Sequence, residues 1–395
     1  MSRLFLVEFE NQDGKVVSDR MQVPGSITSE QLKSLVDTTL SLYVEGSPIL
    51  DTLEKTVEGL SINTDEEVIK IRMNKEEPAT QAATFCSSAY SGHEGPVLCI
   101  RYQGNTLVTG GSDCTVRFWD IRTKTQKMIQ KKHSHWVQCV EISPCGEFVV
   151  SGSVDGSVKM FDSNGEFIRS FIGHKDAVVS IKIIRNIVIT GSRDKSVKIC
   201  DLEGNCIFAY THSKAVTCLT TGEDFIASGS RDGKIKVYIE SKKTLLELNG
   251  HSEGINCLSS SGVYLASGSD DGSIVIWKDF QVHKRLKHER EVLSLSFAPN
   301  LVYLASGSFD KSVRIWSVET GKLITKYFHV DFVYKVLFLN DLVISCSRDK
   351  TVKLFKVTKK KIVSDLVCDD EVYCFDYANN QLVCGSKSNK VYFFK

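Results

Sequence analysis

One pattern recurs through most of this chain and restricts the folds open to it: a short strand, a tight turn with an aspartate, and a second strand. The stretch Leu304–Trp316, LASGSFDKSVRIW, is the clearest copy, because small and apolar residues alternate on both sides of the turn at Asp310-Lys311. Successive turn aspartates stand 38 to 42 residues apart, and Ser388 takes the place of an eighth. The seven aspartates are Asp113, Asp155, Asp194, Asp232, Asp271, Asp310 and Asp349.

A histidine precedes each turn aspartate by 20 or 22 residues. These histidines are His93, His133, His174, His212, His251, His288 and His329. A period near 40 with this opening and a Trp-Asp-like ending is typical of a WD-repeat propeller. We predict that the Asp accepts a hydrogen bond from the imidazole, and that a strand Ser or Thr bridges to the Trp indole where one exists. Seven copies in one turn context argue against a catalytic triad, so we predict no enzyme.

Composition favours a soluble, intracellular protein with a large core. Apolar residues make up 42% of the chain, and no run approaches the ~20 apolar residues of a membrane helix. The N-terminal stretch MSRLFLVEFENQDG has no signal-peptide pattern. The 13 cysteines are scattered without a C-x-x-C pair, and most lie in apolar strand patterns, so we expect free, buried thiols.

The first 78 residues have a different pattern, which predicts a small α+β domain. Leu4–Glu10 and Val16–Val23 alternate as the two strands of a hairpin. Thr28-x-x-Gln31 is a capping-box signal that opens a helix, and Val68–Arg72 fits a last strand. Hairpin, helix and further strands in this order are ubiquitin-like. This domain carries 15 acidic and 8 basic residues, whereas the remainder carries 33 and 41. The asymmetry indicates two partner surfaces or ordinary variation between domains.

Residues 79–395 are predicted to form a mainly β, eight-bladed propeller. The last turn is followed by one strand only, so the eighth blade lacks its outer strand. The segment Ala83–Tyr90 lies directly before the first Gly-His and is placed to supply that strand and close the ring. Several blades have another residue in place of Trp, and we expect them to lose part of the hydrogen-bond network. These replacements are Phe161, Cys200, Tyr238, Phe355 and Phe394.

Several of these stretches resemble one protein family. The head LFLVEFENQDGKVVSDRMQVPGSITSEQLKSLV resembles the ubiquitin-like domain at the front of the Notchless family, and INTDEEVIKI is similar to that domain's last loop and strand. The entry CSSAYSGHEGPVLCIRY and the ending DEVYCFDYANNQLVCGS also look like this family. The resemblance covers essentially the whole chain.

The resemblance implies a non-enzymatic assembly factor for the large (60S) ribosomal subunit, working in the nucleus and nucleolus. In that family the propeller docks on the pre-ribosome, which consists of ribosomal RNA and proteins. The ubiquitin-like domain engages midasin, a AAA ATPase, and an acidic side chain completes the coordination of Mg²⁺ held by midasin. Asp65 matches that position, where the family has Glu, and Glu66 is the alternative. The chain itself is expected to hold no cofactor. Taken without the resemblance, this loop is a solvated acidic turn.

Two positions in each repeat are predicted to face one end of the ring: the residue before the turn aspartate and the residue three after the histidine. They place on one surface Trp136, Arg193, Arg231, Phe309, Phe332 and Arg348. Aromatic and Arg side chains favour contacts with protein and RNA, although chance placement or partial burial remains open. Propellers serve many functions. A substrate receptor or scaffold in a ubiquitin-ligase or signalling complex is therefore the alternative, though no F-box-like segment supports it.

Overall fold

The chain divides into two units, Met1–Thr80 and Gln81–Lys395. The computed structural model describes residues 86–394 continuously, and before them residues 4–10, 16, 18, 20–24, 26–35, 41–44, 47–48, 53 and 69–74. Within these ranges, no helix has both the length and the apolar character needed to cross a membrane.

The first unit contains a mixed sheet and one helix. The strands are β1 (Leu4–Glu10), β2 (Met21–Pro24), β3 (Ser41–Val44), β4 (Ser47–Pro48) and β5 (Ile69–Asn74), and the helix is α1 (Ser29–Leu35). The sheet order is β2-β1-β5-β3-β4, in which β1 and β5 run parallel. The capping box is present, because the Gln31 N–H donates to Thr28 Oγ1 at 3.4 Å and the Thr28 N–H donates to Gln31 Oε1 at 3.1 Å.

Alternation in β1 builds the core of this unit. Phe5, Val7 and Phe9 point to one face of the sheet, where they pack with Leu32 of α1 and with Leu53. The second strand begins at residue 21, later than the residue 16 that alternation indicated. The ubiquitin-like assignment itself stays a prediction.

The second unit consists of eight four-stranded antiparallel sheets, so the predicted count of eight blades is confirmed. From the innermost strand outward, blade 1 contains β7 (Val97–Gln103), β8 (Thr106–Gly111), β9 (Val116–Asp120) and β10 (Thr125–Gln130), and blade 2 contains β11 (Val137–Ile142), β12 (Phe148–Ser153), β13 (Val158–Asp162) and β14 (Phe167–Ser170). Blade 3 contains β15 (Val178–Ile184), β16 (Ile187–Ser192), β17 (Ser196–Asp201) and β18 (Cys206–Thr211), and blade 4 contains β19 (Val216–Thr221), β20 (Phe225–Ser230), β21 (Lys234–Ile239) and β22 (Thr244–Asn249). Blade 5 contains β23 (Ile255–Ser261), β24 (Tyr264–Ser269), β25 (Ser273–Lys278) and β26 (Gln281–Lys287), and blade 6 contains β27 (Val292–Phe297), β28 (Tyr303–Ser308), β29 (Ser312–Ser317) and β30 (Leu323–Phe328). Blade 7 contains β31 (Val333–Leu339), β32 (Leu342–Ser347), β33 (Thr351–Lys356) and β34 (Lys361–Val367), and blade 8 contains β35 (Val372–Ala378), β36 (Gln381–Ser386), β37 (Lys390–Phe394) and β6 (Cys86–Ser91).

Blade 8 joins two distant parts of the chain. Strand β6 pairs antiparallel with β37, with Tyr90 opposite Val391, and the Tyr90 ring meets Phe393 edge-on at 6.1 Å. On the inner side, the backbone N–H of Tyr102 in blade 1 donates to Asp376 Oδ2 at 2.9 Å. Of the segment 83–90 expected here, residues 83–85 lie outside the described residues. The ring is thus joined at both its outer and its inner edge.

Successive blades pack through a glycine on the second strand. A Cβ added to Gly268 would stand 2.7 Å from Cys257 Sγ and 2.7 Å from Val292 Cγ1 of the next blade, so no larger residue fits. Blade 7 has larger residues at both of these paired positions. Lys335 on its first strand stands opposite Cys346 on its second strand, where other blades pair Cys or Ser with Gly. All 13 cysteines are free, as the sequence predicted, but Cys86, Cys145 and Cys206 are exposed and not buried.

Candidate functional site

Hydrogen-bond networks join the end of each outer strand to the following blade. In blade 6, His288 Nδ1 lies 2.8 Å from Asp310 Oδ2 and His288 Nε2 lies 2.7 Å from Ser306 Oγ. The indole N–H of Trp316 donates to the same Ser306 Oγ at 2.8 Å. Arg314 adds an ion pair to Asp310 at 3.1 Å. Because His288 follows the outer strand of blade 5 and its partners belong to blade 6, this network links the two blades.

The bond between the histidine and the turn aspartate is not uniform around the ring. His93, His174, His288 and His329 lie 2.8–3.0 Å from their aspartates. In blades 2, 4 and 5 the separation is 3.4–3.6 Å. A serine hydroxyl takes the place of the aspartate at 2.8 Å from His133 and His251, and His212 Nδ1 has no hydrogen-bond partner. The direct bond expected in all seven repeats therefore forms in four.

Burial controls the charge of these groups. It lowers the pKa of His133 and of His212 to about 4, against the opposing effect of the nearby aspartates. Burial alone would raise the pKa of Asp232, but hydrogen bonds from Ser213 and from the backbone outweigh it and lower the pKa to about 2. Near neutral pH these two imidazoles are neutral and Asp232 is ionised. The networks thus act as fixed structural ties between blades.

Two blades that lack the Trp keep its hydrogen bond by using a tyrosine. The Tyr210 hydroxyl of blade 3 donates to Ser228 Oγ of blade 4 at 3.0 Å, and the Tyr327 hydroxyl of blade 6 donates to Ser345 Oγ of blade 7 at 3.0 Å. The expected loss of this bond in these two blades is therefore wrong. The sequence carried a signal, since only the fourth and seventh histidines follow a Tyr-x-His pattern.

The two positions predicted to face one end of the ring lie side by side in every blade. The backbone N–H of the residue before each turn residue donates to the carbonyl of the residue three after each histidine position, at 2.8–3.0 Å. We call these residues the rim. The rim pairs are Ser112–Pro96, Val154–Trp136, Arg193–Ala177, Arg231–Ala215, Asp270–Gly254, Phe309–Glu291, Arg348–Phe332 and Lys387–Glu371.

Two rim arginines occupy neighbouring blades at the mouth of the central channel. Arg193 of blade 3 and Arg231 of blade 4 are exposed, and their rim partners are the small residues Ala177 and Ala215. Among the described residues, no carboxylate lies within 4.0 Å of either guanidinium group. Both line a cavity of about 770 Å³. Their donors are therefore free to meet an anionic partner.

The walls of that cavity come from a position that sequence analysis did not single out. In all eight blades the register of the inner strand shifts at its second residue. That extra residue faces the channel in seven blades: Leu98, Gln138, Val179, Thr217, Asn256, Leu293 and Tyr334. Alternation alone could not reveal this, because a bulge breaks the two-residue period.

The other predicted rim residues form an aromatic group and one separate site. The rings of Phe309 and Phe332 lie 4.5 Å apart, and the Arg348 guanidinium lies 5.7 Å from the centre of the Phe332 ring. Arg348 is also paired with Glu371 at 3.6 Å. Trp136 stands in blade 2 with 48% of its surface exposed. The rim thus carries an aromatic–Arg group at blades 6 and 7 and an unpaired Arg pair at blades 3 and 4.

The remaining predicted sites concern metal. Asp65 and Glu66 lie outside the described residues. Across residues 86–394 and the described parts of the first unit, no three His, Cys, Asp or Glu side chains are grouped to hold a metal ion. That the chain carries no cofactor of its own stays a prediction.

Family models match nearly the whole propeller. The WD domain, G-beta repeat model matches residues 84–120, 124–162, 165–201, 204–238, 242–278 and 280–317, which is more than half of the chain. A model of the TEP-1 C-terminal beta-propeller matches residues 329–395. The matched segments follow the period of the repeats.

Curated relatives match part of the chain, and three of them show how far the similarity extends. Ribosome assembly protein 4 of Saccharomyces cerevisiae is 31% identical over 172 residues, which is 37% of this chain and 33% of the relative. Nuclear distribution protein PAC1 of Coccidioides posadasii is 29% identical over 173 residues, covering 40% of this chain and 32% of the relative. The U3 snoRNP-associated protein-like EMB2271 of Arabidopsis thaliana is 26% identical over 165 residues, covering 40% and 34%. Each match spans about a third of the relative's length.

Solved structures share the propeller fold, among them a designed protein and a yeast protein. The computationally designed Ika8 protein superimposes with a TM-score of 0.72 at 27% identity, covering 78% of this chain and 98% of Ika8. Sqt1 of Saccharomyces cerevisiae superimposes with a TM-score of 0.73 at 14% identity, covering 79% and 99%. At that identity the second likeness concerns the fold alone.

Proposed function

We propose that this chain, which belongs to the WD domain, G-beta repeat family, is a non-enzymatic assembly factor for the large (60S) ribosomal subunit. It docks on the pre-ribosome through the rim of its propeller and recruits the AAA ATPase midasin through residues 1–78. The similarity to ribosome assembly protein 4 and to the U3 snoRNP-associated protein supports a role in ribosome assembly. The resemblance of head, junction and ending to the Notchless family supports the specific subunit and partner.

The unpaired rim arginines are the observation that carries this proposal. Arg193 and Arg231 are exposed, stand on adjacent blades and have alanines as rim partners. A planar guanidinium group donates two parallel hydrogen bonds to a phosphate, and such contacts supply much of the affinity for nucleic acid. Two of them at one channel mouth fit the phosphates of a folded RNA.

The aromatic–Arg group of blades 6 and 7 suits a protein component of the same particle. Phe309 and Phe332 contact each other, and Arg348 lies over Phe332. Aromatic and Arg residues carry most of the binding energy in protein interfaces when they lie together. One side of the rim thus serves RNA and the other side serves ribosomal protein.

Charge reversal at the Arg pair tests the docking surface. The double variant Arg193→Glu, Arg231→Glu should weaken co-sedimentation with the 60S precursor and should flatten the dependence of binding on salt, because two phosphate contacts become repulsive. A matched control, Arg122→Glu with Arg169→Glu, changes the net charge equally at exposed positions off the rim. Equal co-sedimentation of the two double variants would contradict RNA docking at this site.

The acidic segment that contains Asp65 and Glu66 is proposed to reach the metal of midasin. Mg²⁺ prefers hard oxygen ligands, and a partner carboxylate can occupy a position otherwise filled by water. Asp65→Ala should abolish Mg²⁺-dependent binding to midasin, while Asp65→Glu should bind at least comparably. Damage from Glu66→Ala with a silent Asp65→Ala would move the ligand by one residue. Binding that survives both alanine variants and chelation of the metal would exclude a metal-bridged contact.

Affinity purification distinguishes this proposal from the adaptor alternative. The tagged protein should localise to the nucleolus and co-purify large-subunit precursor RNA together with midasin. Recovery of ubiquitin-ligase subunits without precursor RNA would overturn the assembly role.

A further inference from the structure

The face of the propeller opposite the rim holds an apolar cleft between blades 4 and 5. Two turns of each blade lie at this face: the turn between its first and second strands and the turn between its third and fourth strands. The rim turn, between the second and third strands, lies at the opposite end of the same strands. The cleft has a volume of about 340 Å³, and its apolar walls are Phe225 and Ile239 of blade 4 and Val263 and Phe280 of blade 5. Val263 has 55% of its surface exposed.

An unusually short turn opens this cleft. Only Asp279 and Phe280 connect β25 to β26, whereas five residues, 318–322, make the same connection in blade 6. Both turn residues have positive φ, 49° for Asp279 and 63° for Phe280. An aromatic residue rarely adopts this backbone conformation, and such strain is retained where the surrounding structure or a function requires it. The turn holds the Phe280 ring edge-on to Phe225, 5.2 Å between centroids.

The corresponding turns of blades 5 and 6 approach each other through a leucine side chain. Leu301 of blade 6 reaches towards Gly262, where its Cδ1 would lie 3.4 Å from an added Cβ. No equivalent side chain is among those that line the cleft between blades 4 and 5. A second cleft at this face, of about 240 Å³, lies between blades 1 and 2, and Asp120, Arg122 and Lys127 are among the residues that line it.

The border of the cleft is acidic. Glu223, Asp224 and Asp279 line it together with one cation, Lys242. Arg185 of blade 3 is a second cation nearby, since its guanidinium group donates to the Glu223 carbonyl at 3.3 Å. Hydrogen bonds from the side chain and backbone of Ser241 lower the pKa of Asp224, so this carboxylate is ionised at neutral pH. The three carboxylates belong to two different blades, and they therefore flank the apolar floor from both sides.

We propose that this cleft binds a short extended peptide segment in which a large apolar side chain stands between lysines or arginines. The apolar side chain fills the space between Phe225, Val263 and Phe280, and the cationic groups on either side face the carboxylates. A volume of about 340 Å³ matches one or two buried side chains. This site lies away from the rim and does not depend on the proposed function.

The test measures binding of labelled peptides to the full-length protein by fluorescence anisotropy. The probe is the capped hexapeptide Lys-Arg-Leu-Phe-Lys-Arg, with Glu-Glu-Leu-Phe-Glu-Glu and Lys-Arg-Ser-Ser-Lys-Arg as references. We expect the probe to bind at least tenfold more tightly than either reference, because only the probe satisfies both the apolar floor and the acidic border.

Matched variants locate the binding site. Val263→Lys should weaken binding of the probe at least tenfold, and Phe280→Gly should do the same while suiting the positive φ of the turn. Val302→Lys is the control, since Val302 follows the same turn in blade 6 and has 48% of its surface exposed. It should leave the affinity unchanged, and circular dichroism checks that all three variants are folded.

Three outcomes would overturn the proposal. The first is equal affinity for Lys-Arg-Ser-Ser-Lys-Arg, which would show that charge alone attracts the peptide. The second is unchanged binding of the probe to both Val263→Lys and Phe280→Gly. The third is a dimer in sedimentation velocity that Val263→Lys dissociates, which would make a second copy of the chain the occupant.

Discussion

Acidification from pH 7 to pH 5 should lower the free energy of unfolding of this propeller through its buried histidines. His133 and His212 have pKa values of about 4 in the folded protein because burial disfavours the charged imidazole. In the unfolded chain a histidine has a pKa near 6.5. As the pH falls below 6.5, these two histidines become protonated in the unfolded chain but stay neutral in the folded protein. The folded state therefore loses stability across this window.

The size of this loss follows from the two pKa values. Between pH 7 and pH 5 the free energy of unfolding should fall by about 2 kcal/mol for each of these histidines, hence about 4 kcal/mol for both. That is a large share of the ~5–15 kcal/mol that stabilises a typical domain. Asp232 does not contribute here, because its lowered pKa gives stability that is lost only as the pH falls below about 4.

Urea unfolding at pH 7, 6 and 5 measures the effect. His212→Gln should be less stable than the wild-type protein at pH 7, yet its further loss between pH 7 and pH 5 should be smaller by about 2 kcal/mol. His135→Gln removes an exposed imidazole and should follow the wild-type curve. If His212→Gln and the wild-type protein lose the same free energy between pH 7 and pH 5, buried neutral His212 is refuted as a source of acid sensitivity.

Three further predictions concern the ties between blades. Tyr327→Phe should lower the free energy of unfolding by about 1 kcal/mol in urea titrations, since it removes one buried hydrogen bond. Tyr303→Phe, at a stacked ring without such a bond in the described structure, should have a smaller effect, and equal losses would argue against the tyrosine substitute. Removing residues 1–90 should lower the melting temperature because β6 is lost, whereas removing residues 1–78 should not; equal melting temperatures would contradict this closure. Gly268→Ala should destabilise the ring by ~1–3 kcal/mol through overpacking, and a neutral effect in thermal unfolding would show that the interface can shift.

The repeat period made the architecture predictable, whereas the details of each blade depend on contacts between repeats. The spacing of 38 to 42 residues between seven turn aspartates, with Ser388 in the eighth place, was sufficient for eight blades because each blade needs the same four strands. The direct His–Asp bond failed as a rule because a shift of about half an ångström lets a serine hydroxyl take the place of Asp155 or Asp271. Such shifts depend on packing around each blade, and they do not change the number of residues between a histidine and its turn aspartate.

For the candidate surfaces, too, the sequence predicted the positions of residues but not their contacts with neighbouring blades. Counting from the histidines and aspartates predicted where Arg193 and Arg231 lie, since backbone pairing repeats in every blade. Asp176 lines the same cavity, yet neither arginine forms an ion pair within the described residues. Which side chains face them across the blades decides this, and no local sequence pattern records it. The cleft beside Phe280 was missed for a similar reason: a two-residue turn is visible in the sequence, but the space it opens belongs to two blades.

The pairing of β6 with β37 also determines when the propeller can be completed during translation. Val391 is synthesised about 300 residues after its partner Tyr90, which takes between about 15 and 60 s at ordinary elongation rates. During that interval the first seven blades can assemble one after another. Strand β6 has no partner strand yet, and the face of blade 1 that packs against blade 8 stays uncovered. The nascent chain therefore presents two unpaired β surfaces to chaperones until its final strand emerges.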